Sequence, residues 1–76
     1  MKLREKEYER LTSEANEMLA AGESAVDTYL WLNKQVDSLT LSCISRQRQL
    51  SPNKEEWKDR LEGAEAARDD FAANNL

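Results

Sequence analysis

Ala21-Gly22-Glu23-Ser24 decides how many helices this chain contains. Glycine ends helices readily because it enters the left-handed conformation without steric cost, and serine starts them by accepting a hydrogen bond from a first-turn amide. Asp27, three residues after Ser24, completes a capping-box-like spacing with Asp in place of the usual Glu or Gln. On these local signals the four residues separate one helix from the next.

The pattern on either side argues for continuity. Alternate steps of three and four from Tyr8 meet Leu11, Ala15, Met18, Gly22, Ala25, Tyr29, Leu32, Val36, Leu39, Cys43, Arg46 and Leu50, and only Arg46 is charged. One phase held over this distance reads as a long helix with an a/d seam. The phase passes through Gly22 without slipping, and an interior glycine costs only about 1 kcal/mol relative to alanine. Leu19 and Val26 lie beside the seam and widen it. The expectation is therefore one helix over residues 2–49, bent at Gly22. A three-helix unit with a break near Gly22 is the alternative.

A second break is clearer. Ser51-Pro52 supplies an N-cap side chain followed by proline at the first helical position, where its missing N–H does no harm. Proline also disfavours helical geometry at Ser51, so the first helix must stop there. A second helix over residues 52–73 follows, with Trp57, Leu61, Ala64, Ala67 and Phe71 on one stripe. Leu39 to Ile44 alternates apolar and polar residues as a strand would, but no second segment offers it a partner. The fold class expected is all-α: an antiparallel helical hairpin forming a single domain.

The two helices of that hairpin do not match in length. At 1.5 Å per residue the first would span roughly 70 Å and the second only about 33 Å, leaving the seam from Tyr8 to Ala25 uncovered. A solitary hairpin of this size is marginal, because ordering each residue costs about 1.5 kcal/mol. A homodimeric helical bundle follows as an expectation, with Tyr8, Leu11, Ala15, Met18, Gly22, Ala25, Tyr29, Leu32, Val36 and Leu39 at the oligomer interface. Ala15, Gly22 and Ala25 are small enough for backbones to approach closely there.

Composition narrows the chemistry. The chain has 76 residues and no histidine, so the commonest general base and metal ligand are absent and there is little surface to enclose a pocket. Glu5, Glu9, Glu55, Asp59, Glu62, Asp69 and Asp70 read as a solvated face laced with pairs such as Arg10 with Glu14, Glu56 with Arg60 and Lys58 with Glu62. Gly22 and Gly63 stand alone, which gives no phosphate-binding loop. Cys43 falls on the apolar seam and reads as a small hydrophobe; as the single cysteine it forms no intramolecular disulfide. No catalytic residue, metal or cofactor is expected.

The net charge of −4 disfavours non-specific attraction to nucleic acid or an anionic membrane. No apolar run approaches a membrane span, and Met1 to Glu7 lacks the apolar segment of a signal peptide, so a cytoplasmic protein is expected. Residues 24–50 carry a net +1, from Lys34, Arg46 and Arg48 against Asp27 and Asp37. Those three cations carry the secondary reading, a small helical dimer that binds structured RNA.

Trp31 faces away from the seam, and Leu30, Leu41 and Ile44 form a second apolar strip. Aromatic and aliphatic side chains on an otherwise charged surface point to a contact site, since such anchors dominate binding energy at interfaces. Leu30, Trp31, Leu41 and Ile44 are the partner-binding residues expected; the alternative for Trp31 is burial by another segment in a three-helix fold or larger oligomer. The function expected is a non-enzymatic protein interaction module, acting as an adaptor, small chaperone or inhibitor of a larger protein or complex.

Overall fold

The computed structural model describes residues 3–48 and 54–76, with side chains described throughout except at 46–48 and 54. Three helices make up the fold: α1 over Leu3–Ala20, α2 over Ala25–Arg48 and α3 over Lys54–Asn75. No strand occurs among the described residues, and Leu39 to Ile44 is helical within α2.

The continuous helix over residues 2–49 does not form; the chain breaks at Gly22 into the three-helix alternative. Gly22 has a φ of 97°, the left-handed conformation that glycine alone adopts easily. The Glu23 amide donates to the Met18 carbonyl at 3.0 Å and the Gly22 amide to the Leu19 carbonyl at 3.1 Å, the paired bonds of a Schellman motif. Two carbonyls that α1 leaves without intrahelical donors are thereby satisfied. Ser24 then starts α2, its Oγ accepting from the Asp27 amide at 3.0 Å. Thr28, fully buried, donates through Oγ1 to the Ser24 carbonyl at 2.9 Å and so carries no unmet polar atom into the core. The break costs little, because the Gly22, Glu23 and Asp27 amides still find acceptors at the turn, and the reversal lets α3 cover the apolar faces of both α1 and α2.

With the first helix cut in two, the length mismatch disappears. α3 packs against both α1 and α2, which touch each other much less. α1 and α3 run in the same direction, since Arg4 and Glu7 lie against Gly63 and, further along both helices, Tyr8 bonds Asp70. α2 returns antiparallel to α3, and Arg68 Nη1 donates to Asn33 Oδ1 at 3.3 Å across that pair. The small residues of α3 explain how close it comes to α1: Gly63, Ala64 and Ala67 are all buried, and a β-carbon on Gly63 would collide with the Arg4 carbonyl oxygen.

Among the described residues the buried hydrophobic side chains are Leu11 and Ala15 from α1, Leu32 and Val36 from α2, and Ala64, Ala67 and Phe71 from α3. Tyr8, Leu19, Ala25, Tyr29, Trp31, Leu39 and Leu61 pack around them, partly buried. The inference that the seam needs a second copy to cover it therefore falls, because α3 covers it within one chain. The Ser51-Pro52 capping site lies outside the described residues.

Candidate functional site

The orientation of α2 is set from its first turn. The Ser24 cap and the buried Thr28 fix one face toward α3, and Leu32 and Val36 continue that face at spacings of four. Whatever lies across the helix axis must then face solvent. Four large hydrophobic residues do: Val26 is 57% exposed, Leu30 50%, Leu41 69% and Ile44 43%. At 100° per residue they share an arc of roughly 60°, centred about 150° from the line of Thr28, Leu32 and Val36. α2 is thus apolar on two opposite faces, one folded into the core and one open.

Between the two apolar ends Asp37 stands on the same outer arc and Lys34 just beyond its edge, and both are exposed. Among the described residues neither has an ion-pair partner. The outer face therefore reads apolar, charged, apolar along the helix, with a cation and an anion at its middle.

Trp31 does not belong to that face. It is half-buried, packs against the core, and lines a shallow depression at the α1–α2 corner with Met18, Ala21, Glu14, Glu17 and Glu23. A straight helix over residues 2–49 would have pointed this ring into solvent. The turn at Gly22 instead brings the end of α1 beside it. Leu30, Leu41 and Ile44 stay together on the surface, and Val26, which the heptad reading had assigned to the edge of the seam, joins them.

The residues read as an oligomer interface are placed otherwise. Leu11, Ala15, Leu32 and Val36 are at most 4% exposed within the single chain. Tyr8, Ala25, Tyr29 and Leu39 are half-buried around them, Met18 is half-buried at the α1–α2 corner, and Gly22 is exposed in the turn. Cys43 is also half-buried. Of the cations read as an RNA contact, Lys34 is on the outer face of α2, while the side chains of Arg46 and Arg48 lie outside the described ones.

Polar chemistry elsewhere joins elements. Tyr8 Oη donates to Asp70 Oδ2 at 2.6 Å, linking α1 to α3. That bond to a carboxylate raises the Tyr8 pKa from its ordinary 10.0, with desolvation and the Asp70 charge adding to the rise and a hydrogen bond with Thr12 opposing it. One crevice beside this pair, bounded by Thr12, Asn16, Phe71 and Asn74, holds about 80 Å³, and a more open groove on its other side, lined by Arg4, Glu5, Glu9 and Ala66, holds about 330 Å³. Arg10 pairs with Glu7 at 2.6 Å and more loosely with Glu14 at 3.8 Å, and Arg60 lies 5.0 Å from the centre of the Trp57 ring. Among the described residues no group of three or more acidic or cysteine side chains is placed to hold a metal ion. No helix among them is long and apolar enough to cross a membrane.

No family model, no curated protein and no solved structure matches this chain.

Proposed function

We propose that this chain is a non-enzymatic protein interaction module whose contact surface is the outer face of α2. The observation that carries the reading is the arc of Val26, Leu30, Leu41 and Ile44, large hydrophobic side chains held in solvent opposite the core. Single exposed hydrophobic residues are ordinary on protein surfaces, but here Val26 with Leu30 and Leu41 with Ile44 make two apolar patches on one helical face, and apolar patches rimmed by charge mark contact sites. Each exposed side chain of this size gains about 1.5 to 3 kcal/mol when fully removed from water, so a partner that covers the arc has a substantial driving force.

A module of this kind acts by occupying a surface, as an adaptor, small chaperone or inhibitor does. Capture experiments from the native cell with the wild-type chain and with Leu30→Asp/Leu41→Asp test the reading. Partners held by the wild type and released by the double variant, with helicity unchanged by circular dichroism, are the expected outcome. An identical set of partners on both chains contradicts it. Trp31→Ala serves as the contrast: it is expected to lower thermal stability, because the ring packs on the core, while leaving capture in place.

A further inference from the structure

We infer that the outer face of α2 pairs with the same face of a second copy, the two α2 helices running antiparallel about a two-fold axis that passes between residues 35 and 36. The inference rests on the reading of this face as a contact surface and names its occupant.

The argument begins with spacing. Asp27, Leu30, Lys34, Asp37, Leu41 and Ile44 follow one another at intervals of three, four, three, four and three. Alternate threes and fours form the row that one helix presents to another in a coiled coil. The spacing of this row, though not its residue types, reads the same from either end. Two antiparallel helices oppose residues whose numbers have a constant sum, and a symmetric pair must use one patch on both copies. With the axis between residues 35 and 36, Leu30 of each copy faces Leu41 of the other, Lys34 faces Asp37, and Asp27 faces Ile44. Val26, on the same arc, extends the apolar cover at each end.

Charge then selects the direction. In the antiparallel register both Lys34 side chains meet an Asp37 carboxylate, giving two ion pairs at the centre between two leucine layers. A parallel pair in register would set Lys34 against Lys34 and Asp37 against Asp37. Charged residues at an interface contribute more to orientation and partner choice than to raw affinity, and here they favour one arrangement and oppose the other. The absence of an ion pair for either residue among the described parts of the chain leaves both charges available for that role. What points to a second copy is the pairing of types about the centre: Leu30 falls opposite Leu41, and the cation Lys34 opposite the anion Asp37. The strip is narrow, so the dimer is expected to be weaker than one with an interface of standard size.

Sedimentation equilibrium on the full chain, from about 1 μM to about 1 mM, tests the pairing through a charge exchange. The wild type is expected to show a reversible monomer–dimer equilibrium. Lys34→Glu alone and Asp37→Lys alone each create two like-charge contacts and are expected to weaken it by roughly tenfold or more. The double variant Lys34→Glu/Asp37→Lys restores opposite charges and is expected to recover most of the loss. A wild type that stays monomeric over the whole range overturns the inference, as do single variants that dimerise like the wild type or a double variant no better than the singles. Loss of captured partners in Leu30→Asp/Leu41→Asp alongside a monomeric wild type would remove the second copy while keeping the face as a site for a different protein.

Discussion

The carbonyl oxygen of Arg4 lies against Gly63 in the space that a β-carbon would fill, and the Glu7 β-carbon stands 3.1 Å from the same point. This contact sets how closely α1 and α3 approach. A backbone carbonyl inside a helix cannot turn aside as a long side chain can, so the two helices must separate if residue 63 gains a methyl group. Gly63→Ala improves helix propensity by at most about 1 kcal/mol, whereas overpacking of this kind costs about 1 to 3 kcal/mol. Chemical denaturation is expected to show a net loss of stability for Gly63→Ala. A gain would mean that the Arg4 carbonyl does not press on residue 63.

Gly22→Ala discriminates between a broken and a continuous first half. With a φ of 97° at Gly22, alanine must adopt a left-handed backbone that costs roughly 1 to 2 kcal/mol, although nothing lies within 4 Å of the new β-carbon. In an unbroken helix the same substitution would stabilise by about 1 kcal/mol. The sign of the change in denaturation midpoint therefore decides, and a fall is expected.

Ser24→Ala removes the oxygen that accepts from the Asp27 amide. A loss of about 1 kcal/mol is expected, with Ser24→Asp close to wild type because aspartate caps as well as serine. Equal losses in both variants would show that the side-chain oxygen at residue 24 does not cap α2.

The Tyr8–Asp70 bond gives stability an alkaline limit. The folded-state pKa of Tyr8 is raised, so its contribution is fully present below the unfolded value near 10 and is lost as pH rises through the higher folded value. The difference in thermal midpoint between wild type and Tyr8→Phe is expected to be constant up to about pH 9 and to close above about pH 10. A difference that persists unchanged into strong alkali would show that the hydroxyl does not donate to Asp70.

Much of the fold was legible in the residues. The apolar spacing identifies helices, and Ser24 with Asp27 marks the start of α2 at the place where it occurs. The number of helices was harder, for a physical reason. Periodicity reports that each segment has an apolar face, and α1 and α2 both turn theirs toward α3, so the phase stays clean across a turn that reverses the chain. Gly22 and Ser24 held the decisive information in hydrogen bonds that a helical wheel does not count. Trp31 follows the helix count: on a continuous helix it faces solvent, and in the three-helix unit the end of α1 reaches it after the reversal. Leu30, Leu41 and Ile44 were readable as an exposed strip because their spacing belongs to α2 alone, while Val26 was missed because its position was counted against the seam of a longer helix.

The antiparallel pairing of α2 is tested most directly by a distance between two copies. A spin label at Ser45, an exposed position beside the paired face, in a chain carrying Cys43→Ala, reports it by pulsed electron resonance. With the two-fold axis between residues 35 and 36 and a rise of 1.5 Å per residue, the two backbones at position 45 lie about 30 Å apart at an interaxial distance of about 10 Å. A distribution centred near 30 Å that disappears on dilution with unlabelled chain is the predicted result; a centre near 10 to 15 Å, as parallel helices would give, or no intermolecular distance at all, would contradict the account.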